Sequence, residues 1–127
     1  MKNQTKKVLF ADDEKSIRDL YELRFKSESF ETIFAEDGKD ALEKIKKEKP
    51  DLVLLDIMMP EMNGLEVLEE IKKHPATSDI PVFMLTVLAD NDIQSKAFDL
   101  GAKYYLVKSD IVPQEVVQLI RTELGIS

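Results

Sequence analysis

Three short apolar runs in this chain each stop at a charged side chain. Val8-Leu9-Phe10-Ala11 runs into Asp12-Asp13-Glu14, Leu52-Val53-Leu54-Leu55 into Asp56, and Tyr105-Leu106-Val107 into Lys108. Uninterrupted apolar runs of this length read as strands buried on both faces, the mark of a parallel sheet under helices. Open sheets of that kind bind ligands in the crevice beyond the carboxyl ends of their strands. With the three strands as neighbours, Asp12, Asp13, Asp56 and Lys108 converge on one spot. Acids and a lysine gathered in this way suit phosphate chemistry.

Along its length the chain alternates strand-like and helix-like stretches five times, with no repeat or low-complexity segment. The first strand falls near residues 7–11. A helix over residues 15–27 carries Ile17, Leu20, Tyr21, Leu23 and Phe25 as its apolar stripe. Thr32-Ile33-Phe34-Ala35 is a second strand whose shortness suits a sheet edge. Asp37-Gly38 breaks the chain before a second helix at Ala41-Leu42-Glu43-Lys44-Ile45, and Pro50 ends that region. After Asp56 comes the loop Ile57-Met58-Met59-Pro60-Glu61-Met62-Asn63-Gly64. A third helix carries Leu65, Val67, Leu68 and Ile71, and it stops near His74-Pro75 because proline disfavours helix in the residue before it. Strand four spans residues 80–86. Asp90-Asn91-Asp92 offers N-cap oxygens to a fourth helix, which Gly101 closes. Strand five spans residues 104–107, and Pro113 suits the first turn of a last helix with Val116, Val117, Leu119, Ile120 and Leu124. Five such units predict the α/β class, a parallel sheet covered by helices on both faces. The chain reads as one domain over residues 1–127, with residues 1–6 as a flexible polar tail.

Charge limits the partners. The 127 residues hold 18 Lys and Arg against 25 Asp and Glu, a formal net charge of −7. Nucleic-acid binders draw much of their affinity from neutralised phosphates and show a basic stripe. Here the lysines of Lys44-Ile45-Lys46-Lys47-Glu48-Lys49 and of Lys72-Lys73 are mixed with acids on helical segments, the pattern of solvated faces. No direct nucleic-acid binding is expected. No apolar run approaches the ~20 residues of a membrane span, and the start lacks the apolar stretch of a secretory signal. Without cysteine there is no disulfide and no thiolate metal site. A cytoplasmic location, away from the membrane, is the expectation.

Asp12-Asp13-Glu14, the run Asp56-Ile57-Met58-Met59-Pro60 with Met62-Asn63-Gly64, Thr86 closing strand four, and Gly101-Ala102-Lys103-Tyr104-Tyr105-Leu106-Val107-Lys108 together resemble the receiver domain of two-component response regulators. Each piece alone is weak. The set, in this order and spacing, is specific and covers nearly the whole chain. The resemblance implies a flavodoxin-like doubly wound sheet of five strands in the order 2-1-3-4-5 with five helices, as in a chemotaxis receiver. It implies phosphorylation of Asp56, because a carboxylate can attack a phosphoryl group and form an acyl phosphate. It also implies Mg²⁺, with Mn²⁺ as a substitute, held directly by Asp13, Asp56 and the backbone carbonyl of Met58. Asp12 acts through a bound water. Clustered carboxylates repel one another without a cation, and Mg²⁺ keeps waters while taking one or two carboxylates plus phosphate oxygens.

By the same resemblance Lys108 meets the phosphoryl oxygens and Thr86 donates its hydroxyl to one of them. Tyr105 is the switch aromatic, turning inward when Thr86 moves, and Tyr104 points to the opposite face. Singly, these residues have plainer readings. An acidic pair after a strand is commonly a helix cap, a strand-end lysine commonly snorkels, and threonine and tyrosine are ordinary in strands. Gly64 reads as a helix start, and His74, the single histidine, as a surface residue.

Two positions depart from the family pattern. Ser109 stands where the family has proline after the lysine, joined by a cis peptide. A cis bond to a non-proline residue costs about 2.5–4 kcal/mol, so Lys108–Ser109 is expected to be trans. Val87 stands where a small residue is usual and is expected to narrow the approach to Asp56. Met58 and Leu88, two residues beyond Asp56 and Thr86, are apolar where polar side chains would orient a hydrolytic water. With Val87 they point to slow loss of the phosphoryl group.

The family's phosphodonor is a histidine kinase or a histidine phosphotransfer protein. An output protein or a second copy would dock on the face of helix four, strand five and helix five. Such a chain is a switch and not an enzyme with an external substrate, although it assists its own phosphorylation. Two rivals fit less well. An aspartyl-phosphate phosphatase places its nucleophile after the first strand and carries a cap domain. A flavodoxin-like cofactor module needs a Ser/Thr/Gly-rich phosphate loop where this chain has Asp12-Asp13-Glu14.

Overall fold

The computed structural model describes residues 5–126; residues 1–4, most of the expected tail, and Ser127 lie outside the described residues. The chain is tied down from Lys6, whose carbonyl accepts the Glu31 N–H at 2.8 Å. Strands and helices then alternate: β1 (Lys7–Ala11), α1 (Lys15–Phe25), β2 (Glu31–Ala35), α2 (Gly38–Glu48), β3 (Leu52–Leu55), α3 (Gly64–Lys73), β4 (Val82–Thr86), α4 (Asn91–Asp99), β5 (Tyr104–Val107) and α5 (Pro113–Leu124). All neighbouring strands pair in parallel, in the order β2-β1-β3-β4-β5. This is the flavodoxin-like doubly wound sheet, with β2 at one edge and β5 at the other.

Every residue of β3 and β4 is buried, which is why those runs are apolar without alternation. Their side chains divide between two cores. Leu9, Ala11, Val53, Leu55, Val82 and Met84 face Ala41, Ile45, Val67, Leu68, Ile71 and Ala97 from α2, α3 and α4. Val8, Phe10, Leu52, Leu54, Phe83 and Leu85 face Tyr21 and Phe25 of α1 and Val116, Val117 and Ile120 of α5. Burying a side chain of this size contributes about 1.5–3 kcal/mol. Because both faces are covered, a one-residue slip would exchange the two cores, and the register is firmly set.

Element bounds shift slightly for local reasons. β2 begins one residue before the expected run, since the Glu31 N–H pairs with Lys6. β4 begins after Pro81, which has no N–H for the ladder, although its carbonyl still accepts the Val53 N–H at 3.0 Å. α1 stops at Phe25, two residues short of the expected end. There Glu28 N–H turns back to the Phe25 carbonyl at 2.9 Å, and the Glu28 carboxylate accepts a 2.8 Å bond from Arg121 on α5.

Candidate functional site

Each strand-end residue is fixed by one further ladder bond beyond its strand. Asp12 N–H donates to Ala35 (3.1 Å), Asp56 N–H to Ala11 (3.0 Å) and Lys108 N–H to Thr86 (2.7 Å). The sheet order therefore brings Asp12, Asp56 and Lys108 side by side, as the apolar runs led one to expect. Lys108 Nζ lies 2.6 Å from Asp12 Oδ2 and 3.1 Å from Asp56 Oδ2. Asp12 is wholly buried and Asp56 nearly so. Asp13 completes the group: each of the three acids offers an oxygen within 4.8 Å of the others.

The oxygens are not equivalent. Asp12 spends both: Oδ1 accepts the Glu14 N–H at 2.9 Å and Oδ2 accepts Lys108. Asp56 Oδ1 accepts the Ile57 N–H at 2.7 Å. Asp13 is exposed, and its carboxylate takes no hydrogen bond from the described residues. Burial pushes the Asp56 carboxyl above its ordinary pKa; Lys108 opposes this and Asp12 reinforces it. For Lys108, burial favours loss of the proton, but the bond to Asp12 and the charges of Asp56 and Asp12 outweigh it and raise the pKa. The ammonium thus stays charged and holds the crowded acids together.

The β3–α3 loop depends on close backbone approach. Gly64 opens α3 behind an Asn63–Glu66 capping box, and a Cβ built on it would lie 2.1 Å from the Asp56 carbonyl oxygen. Gly38, at the start of α2, lies so near the Met62 backbone that a Cβ would approach its carbonyl oxygen to 1.8 Å. Both glycines admit backbone where a side chain cannot go. Met58 is exposed, and its carbonyl accepts no bond from the described residues, while Ile57 and Met59 are buried. Between this loop and Asp13 an open cavity of about 590 Å³ is lined by Asp13, Ile57, Met58, Met59, Pro60 and Asn63.

On the other side of Asp56, buried Thr86 and half-buried Tyr105 both engage Leu88. Thr86 Oγ1 accepts the Leu88 N–H at 3.4 Å, and the Tyr105 hydroxyl donates to the Leu88 carbonyl at 2.7 Å. Leu88 packs toward the core over α2, α3 and α4, while the Val87 side chain is 58% exposed. Tyr104 sits on the opposite face of β5, edge-on to Phe83 with ring centroids 4.9 Å apart. No described peptide bond is cis, Lys108–Ser109 included. His74 follows the end of α3 and reaches no part of the acidic group; its contact is Glu70 at 3.5 Å.

Sequence reasoning missed two residues of α1. Arg18 Nη1 donates to the Asp12 carbonyl at 2.7 Å and pins the strand end. Tyr21, its ring tilted against Phe10 with centroids 4.8 Å apart, feels both Lys108 and Asp12. Burial above all pushes its phenol up to about 12, against the pull of Lys108, so it stays protonated. The only sequence signal was helical spacing: residues 14, 18 and 21 share one face of α1 beside the acidic pair.

The donor set fits a hard divalent cation. Asp13 and the Met58 carbonyl have unspent oxygens beside Asp56, all ligands are oxygens, and Mg²⁺ accepts such a partly aquated site.

A model of the response regulator receiver domain matches residues 8–121. A probable transcriptional regulator ycf27 from Galdieria sulphuraria is 44% identical over 118 residues, which is 93% of this chain and 45% of that protein. The corresponding protein of Cyanophora paradoxa is 41% identical over 124 residues, 98% of this chain and 50% of its own length. The chain thus spans about half the length of the curated relatives it matches. Among solved structures, a CheY-like receiver from Methanospirillum hungatei JF-1 superposes with a TM-score of 0.89 at 28% identity, covering 96% of this chain and 95% of that one. The Mn²⁺-bound form of response regulator Rcp1 gives 0.81 at 31% identity, covering 92% of each. Motif, topology and relatives agree: this chain belongs to the response regulator receiver family, the domains that receive the signal in two-component systems.

Proposed function

We propose that Asp56 accepts a phosphoryl group from a phosphohistidine donor, a histidine kinase or a histidine phosphotransfer protein, with Mg²⁺ bound beside it. The observation that carries this reading is Lys108 Nζ bridging Asp12 and Asp56 at 2.6 and 3.1 Å, with the unspent Asp13 carboxylate alongside. An Asp56 oxygen attacks phosphorus in line, the P–N bond to the donor imidazole breaks, and an acyl phosphate forms. Mg²⁺ would be held by Asp13, Asp56 and the Met58 carbonyl, with Asp12 through water, and would neutralise charge on the phosphoryl oxygens. Lys108 leaves its carboxylate bonds for a phosphoryl oxygen. Positioning and charge neutralisation supply most of the rate in such transfers, so few residues suffice.

The Leu88 backbone then relays the change. When the Thr86 hydroxyl turns to a phosphoryl oxygen, its weak 3.4 Å hold on the Leu88 N–H is given up. The Tyr105 hydroxyl grips the same residue through its carbonyl, on the next peptide, so β4–α4 loop and ring move together. That biases the face of α4, β5 and α5, where an output protein or a second copy would dock. Met58, Val87 and Leu88 set how fast the acyl phosphate is lost. Among the described residues no helix is long and apolar enough to cross a membrane.

The test is incubation with acetyl phosphate followed by intact-mass measurement. One added phosphate is expected in wild type, none in Asp56→Ala, and none with EDTA. Undiminished label in Asp56→Ala overturns the acceptor, and label indifferent to EDTA overturns the metal.

A further inference from the structure

A groove of about 630 Å³ lies at the far end of the sheet from β5, between the outer flank of α1 and the edge strand β2. Phe25, Phe30 and Phe34 form its floor, Leu23 one wall, and Asp19, Glu22 and Lys26 its charged rim. Leu23 is 71% exposed and continues the apolar floor onto the surface as one contiguous patch. The strand beside it has an open edge. Glu31 N–H and the Ala35 carbonyl bond toward β1. Alternation along a strand therefore turns the N–H and C=O groups of Thr32 and Phe34 outward. The Phe34 carbonyl is taken by Lys44 Nζ at 2.7 Å. The Thr32 N–H, the Thr32 carbonyl and the Phe34 N–H have no partner among the described residues.

We propose that this groove binds an extended, basic and apolar segment of another protein, which adds as a strand along β2 and seats an aromatic or branched side chain on the Phe25–Phe30–Phe34 floor. Main-chain bonds to an open edge supply affinity in this mode, and the side-chain pocket supplies selectivity. Charge chooses the partner: three acids, Asp19, Glu22 and Glu31, stand along the groove and its edge against the single lining lysine, Lys26. Glu22 has no cationic partner among the described residues, and Asp19 shares only an exposed contact with Lys15 at 2.8 Å. Exposed Glu31 stands at the start of the same edge. A second copy related by a two-fold axis would set these acids against themselves, so a basic partner is the complement. The Lys44 bond to Phe34 closes the edge beyond that residue and confines the partner to the groove.

The probe is acetyl-Arg-Val-Phe-Val-Arg-amide, titrated into the uniformly ¹⁵N-labelled full chain, with acetyl-Glu-Val-Phe-Val-Glu-amide as its charge reversal. Expected are saturable amide shifts centred on Leu23, Thr32 and Phe34, with the acid-ended peptide roughly tenfold weaker. Glu22→Lys is on an exposed helix face and should weaken the basic peptide without altering the melting temperature. Thr32→Pro removes an outward N–H that takes no part in pairing with β1, and should do the same. Equal binding of both peptides, shifts centred elsewhere, or no saturation overturns the proposal. So does a sedimenting dimer that disperses in Thr32→Pro, since the occupant is then a second copy.

Discussion

At the scale of single residues, the site is a contest between burial and one lysine. Asp12 and Asp56 are charged acids in a place where charge is costly, and Lys108 touches both. Burial still wins at Asp56, whose carboxyl is raised above its ordinary pKa despite Lys108. On the proposed function, loss of the phosphoryl group depends on a water held in line, and the apolar Met58 side chain cannot orient one. Its side chain is 54% exposed at the mouth of the site, free to be replaced without loss of packing. Leu88 is a poorer target, because it packs on the core and an acid there would disturb the loop. Met58→Asn should therefore hasten loss of phosphate several-fold, about 1 kcal/mol in barrier, when the decay of intact mass is followed after the phosphodonor is removed. A decay rate equal to wild type sinks the water-exclusion account.

At the scale of elements, the strands announced themselves and their ends did not. β1, β3 and β5 could be read because apolar runs met charge at Asp12, Asp56 and Lys108. The end of α1 could not, since it is decided by the Glu28 turn and by Arg121, far along the chain. The same distinction holds in the site. Acids and lysine were legible as side chains, whereas the Tyr105–Leu88 and Arg18–Asp12 bonds end on backbone carbonyls, which leave no trace in a sequence. Gly64 was legible only as a helix start; the structure adds that a Cβ would meet the Asp56 carbonyl. Gly64→Ala must push α3 away from the end of β3, and overpacking of this kind costs about 1–3 kcal/mol. Urea denaturation should register that loss, with amide shifts at Asp56 and Ile57. A variant as stable as wild type, with those amides unmoved, shows that the helix start has slack.

At the scale of the whole molecule, the ycf27 relatives are named transcriptional regulators, yet this chain spans about half of their length. Whether the matched half touches DNA is a question of charge. The net charge is −7. Several lysines of the described residues are held by acids and not free for phosphates. Lys7 pairs with Glu48, Lys44 with Asp40, Lys73 with Glu70 and Lys103 with Glu123, each within 3.2 Å. Lys108, deeper in, is committed to Asp12 and Asp56. Such pairs are individually weak at a surface, but each must be broken before its lysine can release a counterion from DNA. Attraction of the duplex is then opposed by the excess acids at any distance inside the Debye length. The chain alone should leave duplex DNA unretarded at micromolar protein and low salt, with or without acetyl phosphate. A retarded band that fades steeply as salt is raised would mean that a basic surface forms in spite of these pairings.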